Sequence, residues 1–89
     1  MKLTESAANA ILSVMKKRKL DPKKVVFEFH LLNNGEIGIG FTRDRQGVSQ
    51  QYGELTVMIG NGVEMGDTIV DFGKVNGRMG IILLNNNNS

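Results

Sequence analysis

Apolar and polar residues repeat along this chain with two different periods, and the change of period falls at Asp21 and Pro22. Before that point Ala7, Ala8, Ile11, Leu12, Val14 and Met15 recur at spacings of three and four. This predicts a helix of about 14 residues with one apolar stripe. Thr4 is placed to cap it by accepting a bond from a free backbone N–H, Glu5 suits the positive end of the helix dipole, and Lys16 to Lys19 suit the negative end. Pro22, which lacks an N–H and restricts the residue before it, stops the helix.

Beyond Pro22 the period is two. In VVFEFHLL, residues 25 to 32, Phe27, Phe29 and Leu31 alternate with Val26, Glu28 and His30, the pattern of a strand with one face buried. Asn34-Gly35 is a hairpin signal because both residue types accept positive φ, and Ile37, Ile39 and Phe41, alternating with glycine, supply the antiparallel partner. Residues 42–53, TRDRQGVSQQYG, are polar and glycine-punctuated and predict an exposed loop. Leu55, Val57 and Ile59 form a third strand, Ile69 to Phe72 a short one ahead of Asn76-Gly77, and Ile81 to Leu84 closes the sheet. That last run is apolar at four consecutive positions, which predicts a strand covered on both faces.

The expected architecture is therefore α+β: one N-terminal helix packed on a compact, mainly antiparallel or mixed sheet of five to seven short strands, in a single domain over residues 1–84. The tail 85–89, NNNNS, has nothing to bury and is expected to be disordered.

Composition narrows the function. A chain of 89 residues has room for one core only. No apolar run approaches the roughly 18 residues that span a bilayer, and the first residues lack the apolar segment of a signal peptide, so a cytoplasmic protein without membrane contact is expected. The absence of cysteine excludes disulfides, a thiol nucleophile and any zinc or iron-sulfur group held by thiolates of this sequence. Ser6, Ser13, Ser49 and Ser89 have no histidine at a recognisable spacing, and Asp67 with Asp71 suggests no acid pair, so no enzyme is expected and no catalytic residue is assigned. Gly35, Gly38 and Gly40 are followed by a strand rather than a helix start, which excludes a phosphate loop.

Three stretches, in order, carry a likeness to a known family. LTESAANAILSVMKK is similar to a capped opening helix with an Ala-Ala pair; NGEIGIGF is similar to a Gly-Cys-Ser-Gly-x-x-Tyr segment, with Gly35, Gly38 and Phe41 on its two glycines and aromatic; GDTIVDF and GRMGIILLNNN are similar to Gly-x-x-Ile-Asp-Tyr and Gly-Phe-x-Phe-Asn-Asn-Pro. Over residues 3–87 the chain resembles the HesB-like domain of A-type iron-sulfur cluster carriers. The resemblance implies a HesB-like fold, a place in iron-sulfur cluster assembly and partners among assembly proteins. It also exposes a departure: Glu36 stands at the family's first cysteine, and the sequence ends before the family's Cys-Gly-Cys segment would begin. The segment from Gly60 to Gly66 is some three residues shorter than its counterpart, so a loop replaces a helical turn there.

Two patches remain to be weighed. Glu28 and His30 share a strand face and, with Glu36, are the metal candidates; a two-ligand site is weak, and a histidine on a solvated sheet face beside a polar turn residue is the plainer reading, so no metal site is assigned. Lys16 to Lys24 holds six of the eleven basic residues, and Arg43, Arg45 and Arg78 extend it on paper toward a phosphate-binding surface. With Tyr52 as the sole tyrosine and most phenylalanines destined for the core, no stacking platform is evident, and nucleic acid is not the favoured partner. The sequence thus points to a cluster-free HesB-like binding or interaction module with no cofactor and no identified cofactor-binding residue, able to pair as a homodimer. The alternatives are a small basic nucleic-acid-associated protein or a divalent-metal binder using Glu28, His30 and Glu36.

Overall fold

The computed structural model describes residues 1–45 and 47–84; the Asn-rich tail and Gln46 lie outside the described residues. Its elements run β1 (Lys2–Leu3), α1 (Glu5–Lys17), β2 (Val26–Leu31), β3 (Ile37–Thr42), β4 (Val48–Tyr52), β5 (Leu55–Ile59), β6 (Ile69–Val75) and β7 (Arg78–Leu84). The class is α+β as expected, but the strands divide into two sheets, ordered β1-β6-β7 and β3-β2-β5-β4, where the sequence suggested one. The division begins at Lys2 and Leu3, which pair in parallel with Ile69 and Val70. Two backbone bonds hold that pairing, Lys2 N–H to Thr68 C=O and Thr4 N–H to Val70 C=O, both at 2.9 Å. A strand of two residues leaves no periodicity to read.

Thr4 caps α1 as expected, its Oγ1 accepting from Ala7 N at 3.1 Å. The helix ends earlier than Pro22 requires. Lys19 adopts a left-handed φ of +57°, Leu20 N–H reaches back to Met15 C=O at 2.8 Å, and Lys19 N–H reaches Lys16 C=O at 3.2 Å. These two bonds form a Schellman motif, which satisfies the last carbonyls of the helix with lysine at the position usually given to glycine.

Ala7, Ile11 and Met15, four residues apart, put one helix stripe into a core shared with Val25, Phe27 and Phe29 of the β2 region, Leu55 and Val57 of β5, Met65, and Val70 of β6. Phe27 and Phe29 meet edge to face with centroids 5.3 Å apart. β2 and β5 run parallel at the centre of the four-stranded sheet, with Phe27 opposite Val57 and Phe29 opposite Ile59.

The β2–β3 hairpin forms antiparallel as expected, with Phe29 opposite Ile39. Its turn is not the two-residue kind, because only Gly35 takes positive φ, at +84°. Leu32 C=O accepts from Gly35 N–H and Leu32 N–H donates to Glu36 C=O, so Asn33, Asn34 and Gly35 form a three-residue loop with a left-handed last residue. At Asn76-Gly77 both residues are left-handed, at +52° and +81°, which makes the two-residue type I′ turn between β6 and β7.

Two expectations are corrected. Residues 48–52, predicted as part of an exposed loop, form β4, paired antiparallel with β5 from Val48↔Ile59 to Tyr52↔Leu55. Polar side chains hid this strand, since an edge strand is held by backbone pairing and needs no apolar face of its own. The run Ile81 to Leu84 is not covered on both faces: β7 is an edge strand, with Leu83 and Leu84 exposed. The segment between β5 and β6 consists of turns and irregular loop without a helical turn.

Candidate functional site

An apolar groove of about 590 Å³ lies between α1 and the edge strands β3 and β7. Ala10, Ile11 and Val14 form the helix wall, Ile39 to Phe41 the β3 wall, and Gly80 and Ile81 the β7 wall, over a floor of Phe27 and Phe72. Phe41 stands against Phe27 with centroids 5.6 Å apart, and the Arg18 guanidinium lies 5.9 Å from the centre of the Phe41 ring. Arg18 is the one charged residue in this lining. A cation over an aromatic face at the mouth of an apolar groove favours a ligand with an apolar body and a negative end. A second cavity of about 560 Å³ continues the cleft between β3 and β7: it is lined by Ile37, Leu83, Met65 and Thr68 and carries Glu64 and Asp67.

No local pattern in the sequence signals this groove. Val14 was read as part of the helix's core stripe, yet it is half-exposed at the groove, and Ile39 is 49% exposed although its strand alternates as if one face were buried. What makes the groove is the separation of two sheets at their edges, a long-range feature with no local signature.

The metal candidates are only partly brought together. Glu28 Oε1 approaches His30 Nδ1 at 3.5 Å, a contact too long to count as a hydrogen bond, and Nδ1 has no hydrogen-bond partner. Glu36 lies in the β2–β3 turn, where its N–H donates to Asn34 Oδ1 at 3.0 Å. Among the described residues no group of three His, Asp or Glu side chains gathers in a geometry able to hold a metal ion. The His30 ring instead lies over β3: a Cβ built on Gly38 would sit 2.6 Å from His30 Nε2, so glycine there makes room for the imidazole. An iron-sulfur cluster needs several soft donors, and one imidazole beside a carboxylate, in a sequence without cysteine, does not fit that group.

Of the three suggested extensions of the basic segment, Arg45 reaches it directly: its Nη2 donates to Lys23 C=O at 2.9 Å, which joins the β3–β4 connection to the 16–24 segment. Arg78 starts β7 in the other sheet. Arg18, which belongs to the same segment, turns toward the groove. No described helix is long and apolar enough to cross a membrane.

Asp71 has a structural duty. Its Oδ1 accepts from Thr4 Oγ1 at 2.6 Å and from Phe72 N–H at 2.8 Å, so one carboxylate ties the helix cap to β6. The Thr4 hydroxyl first, and then the Phe72 N–H, hold this carboxyl below the usual aspartate range. Asp67, its sequence neighbour, lines the second cavity instead. Compared with family models, with curated proteins and with solved structures, the chain matches none.

Proposed function

We propose that this chain is a non-catalytic binding module on a HesB-like scaffold, related to the iron-sulfur carriers in framework but without their cargo, and that it takes an apolar partner in the groove between α1, β3 and β7. The groove carries the reading: its walls and floor are aliphatic and aromatic, and Arg18 on the Phe41 ring supplies a single fixed charge. The three stretches that resemble the carrier family support the scaffold, and the lack of thiols supports the loss of cargo. Partners among iron-sulfur assembly proteins follow from that resemblance alone.

Two measurements test the reading. An environment-sensitive naphthalene sulfonate dye, apolar with one negative group, is expected to bind the native protein and to be weakened at least tenfold by Ile39→Lys, which places a charge on the exposed groove wall. Unchanged dye binding in that variant overturns the groove as the site. Anaerobic incubation with iron and sulfide is expected to leave the protein colourless; a brown product with stoichiometric sulfide overturns the loss of cargo.

A further inference from the structure

β3 and β7 are each the last strand of their sheet, and they face each other across one cleft. Their order along it is opposed. Ile37 and Leu83 line the cavity with the acidic end, whereas Gly40 and Phe41 line the cavity with Gly80 and Arg18. The strands are not paired with each other, and neither has a second partner among the described residues.

Edge strands of monomeric proteins are usually protected by charge, proline or shortness. On the far edges β1 is protected by its length of two residues, and β4 presents mainly polar side chains, Ser49, Gln50 and Gln51. The cleft edges are longer and more apolar: β3 has six residues and no charge, β7 has seven with one charge, Arg78 at its start, and neither contains a proline. Both apolar edges border the groove floored by Phe27 and Phe72, which has Arg18 in its lining. Both also border the second cavity, at Ile37 and Leu83, which has Glu64 and Asp67, so the charges along the two strands differ in sign from one end to the other.

We infer that the cleft takes an extended segment of a partner protein as an added strand, antiparallel to β7, with alternate apolar side chains in the groove, a basic residue at its N-terminal side and an acidic residue at its C-terminal side. This rests on the groove reading above. Antiparallel pairing with β7 runs the segment from the Leu83 end to the Gly80 end, which brings its basic residue to Glu64 and Asp67 and its acidic residue to Arg18. Backbone bonds supply affinity, the apolar floor selects every second side chain, and the two end charges select direction.

The probes are two end-blocked synthetic peptides of roughly eight residues, a length typical of strands, with the same alternating Val and Thr centre: one has Lys first and Asp last, the other Asp first and Lys last. At low salt the first is expected to bind about tenfold more tightly, the scale of two partly solvated ion pairs, and to slow amide exchange in β7. Met79→Lys, at a position 60% exposed, is expected to weaken it at least tenfold, whereas Val48→Lys on the far edge, at a position 66% exposed, leaves it unchanged. Equal binding of the two peptides, or no protection of β7, overturns the inference. So does protection of β7 that rises with protein concentration without peptide, since the edge is then filled by a second copy. If the dye binds and neither peptide does, the added strand is wrong while the groove reading stands; if the dye fails too, both fall.

Discussion

The two sheets are held to the helix by different physics. The four-stranded sheet contributes Phe27, Phe29, Leu55 and Val57, all buried, and is fixed by packing. The three-stranded sheet contributes one fully buried side chain, Val70, and relies on the β1 pairing and the chain of bonds from Phe72 N–H through Asp71 and Thr4 to Ala7 N–H. α1 spans both, its first turn bound to β6 through the Thr4–Asp71 bond as well as by buried Ala7, and its last turn seated in the core through Met15, with Leu20 just beyond its end packed alongside. Burial falls off smoothly when side chains shift, whereas a relay of bonds is lost as a unit. The sheet that carries β7 is accordingly expected to open more easily, and β7 borders the cleft.

The largest expected effect breaks the packed side. Phe29 has no exposed surface, and Phe29→Ala is expected to cost about 3–5 kcal/mol in urea denaturation. That is a large part of the roughly 5–15 kcal/mol available to a small domain. A loss below about 1 kcal/mol shows that packing is not what fixes the four-stranded sheet.

Thr4→Ala breaks the polar side and is expected to cost about 1 kcal/mol, the usual value of a lost helix cap. Exchange of β6 and β7 amides is expected to quicken in this variant more than exchange in β2 and β5. Uniform quickening shows instead that the two sheets open together.

These contrasts also explain what the sequence revealed. The helix, its Thr4 cap and the β2–β3 hairpin follow from local patterns, periods of 3.6 and 2 and an Asn-Gly signal, and each was legible. The same dipeptide makes two different turns, because loop length is settled by strand register and twist rather than by Asn-Gly itself. β1, β4 and the split into two sheets were hidden, since a two-residue strand and a polar edge strand are held by backbone bonds to distant residues. Glu28 and His30 share a strand face and approach each other, yet alternation along a strand says nothing about whether Glu36 joins them. The groove was least visible, being an outcome of where two sheet edges end up.

Acid sharpens the comparison further. Asp71 is held below the usual aspartate range when folded, so its contribution is fully present above the unfolded value of about 3.9 and is lost as pH falls through the lower folded value. The melting temperature of the native protein is expected to exceed that of Asp71→Asn at pH 7, with the gap closing below about pH 4. A gap that persists unchanged at pH 2 shows that the carboxylate charge is not what ties the cap to β6.

The smallest expected effect concerns the other end of α1. Lys19 is left-handed at +57°, a conformation in which any Cβ crowds the carbonyl beyond it at a cost of about 1–2 kcal/mol. Lys19→Gly removes the crowding, but glycine adds freedom to the unfolded chain worth about 0.5–1 kcal/mol. The net gain is therefore expected to be about 0–1.5 kcal/mol. Lys19→Ala keeps a Cβ and is expected to give no gain, which separates backbone strain from the loss of a positive charge near the negative end of the helix dipole. If alanine stabilises as much as glycine, the strain account fails and charge repulsion within the 16–24 segment takes its place. If glycine alone stabilises, Met15 and Leu20 keep their seats in the core at lower backbone cost, and the packed end of α1 gains while the Thr4 end is unchanged.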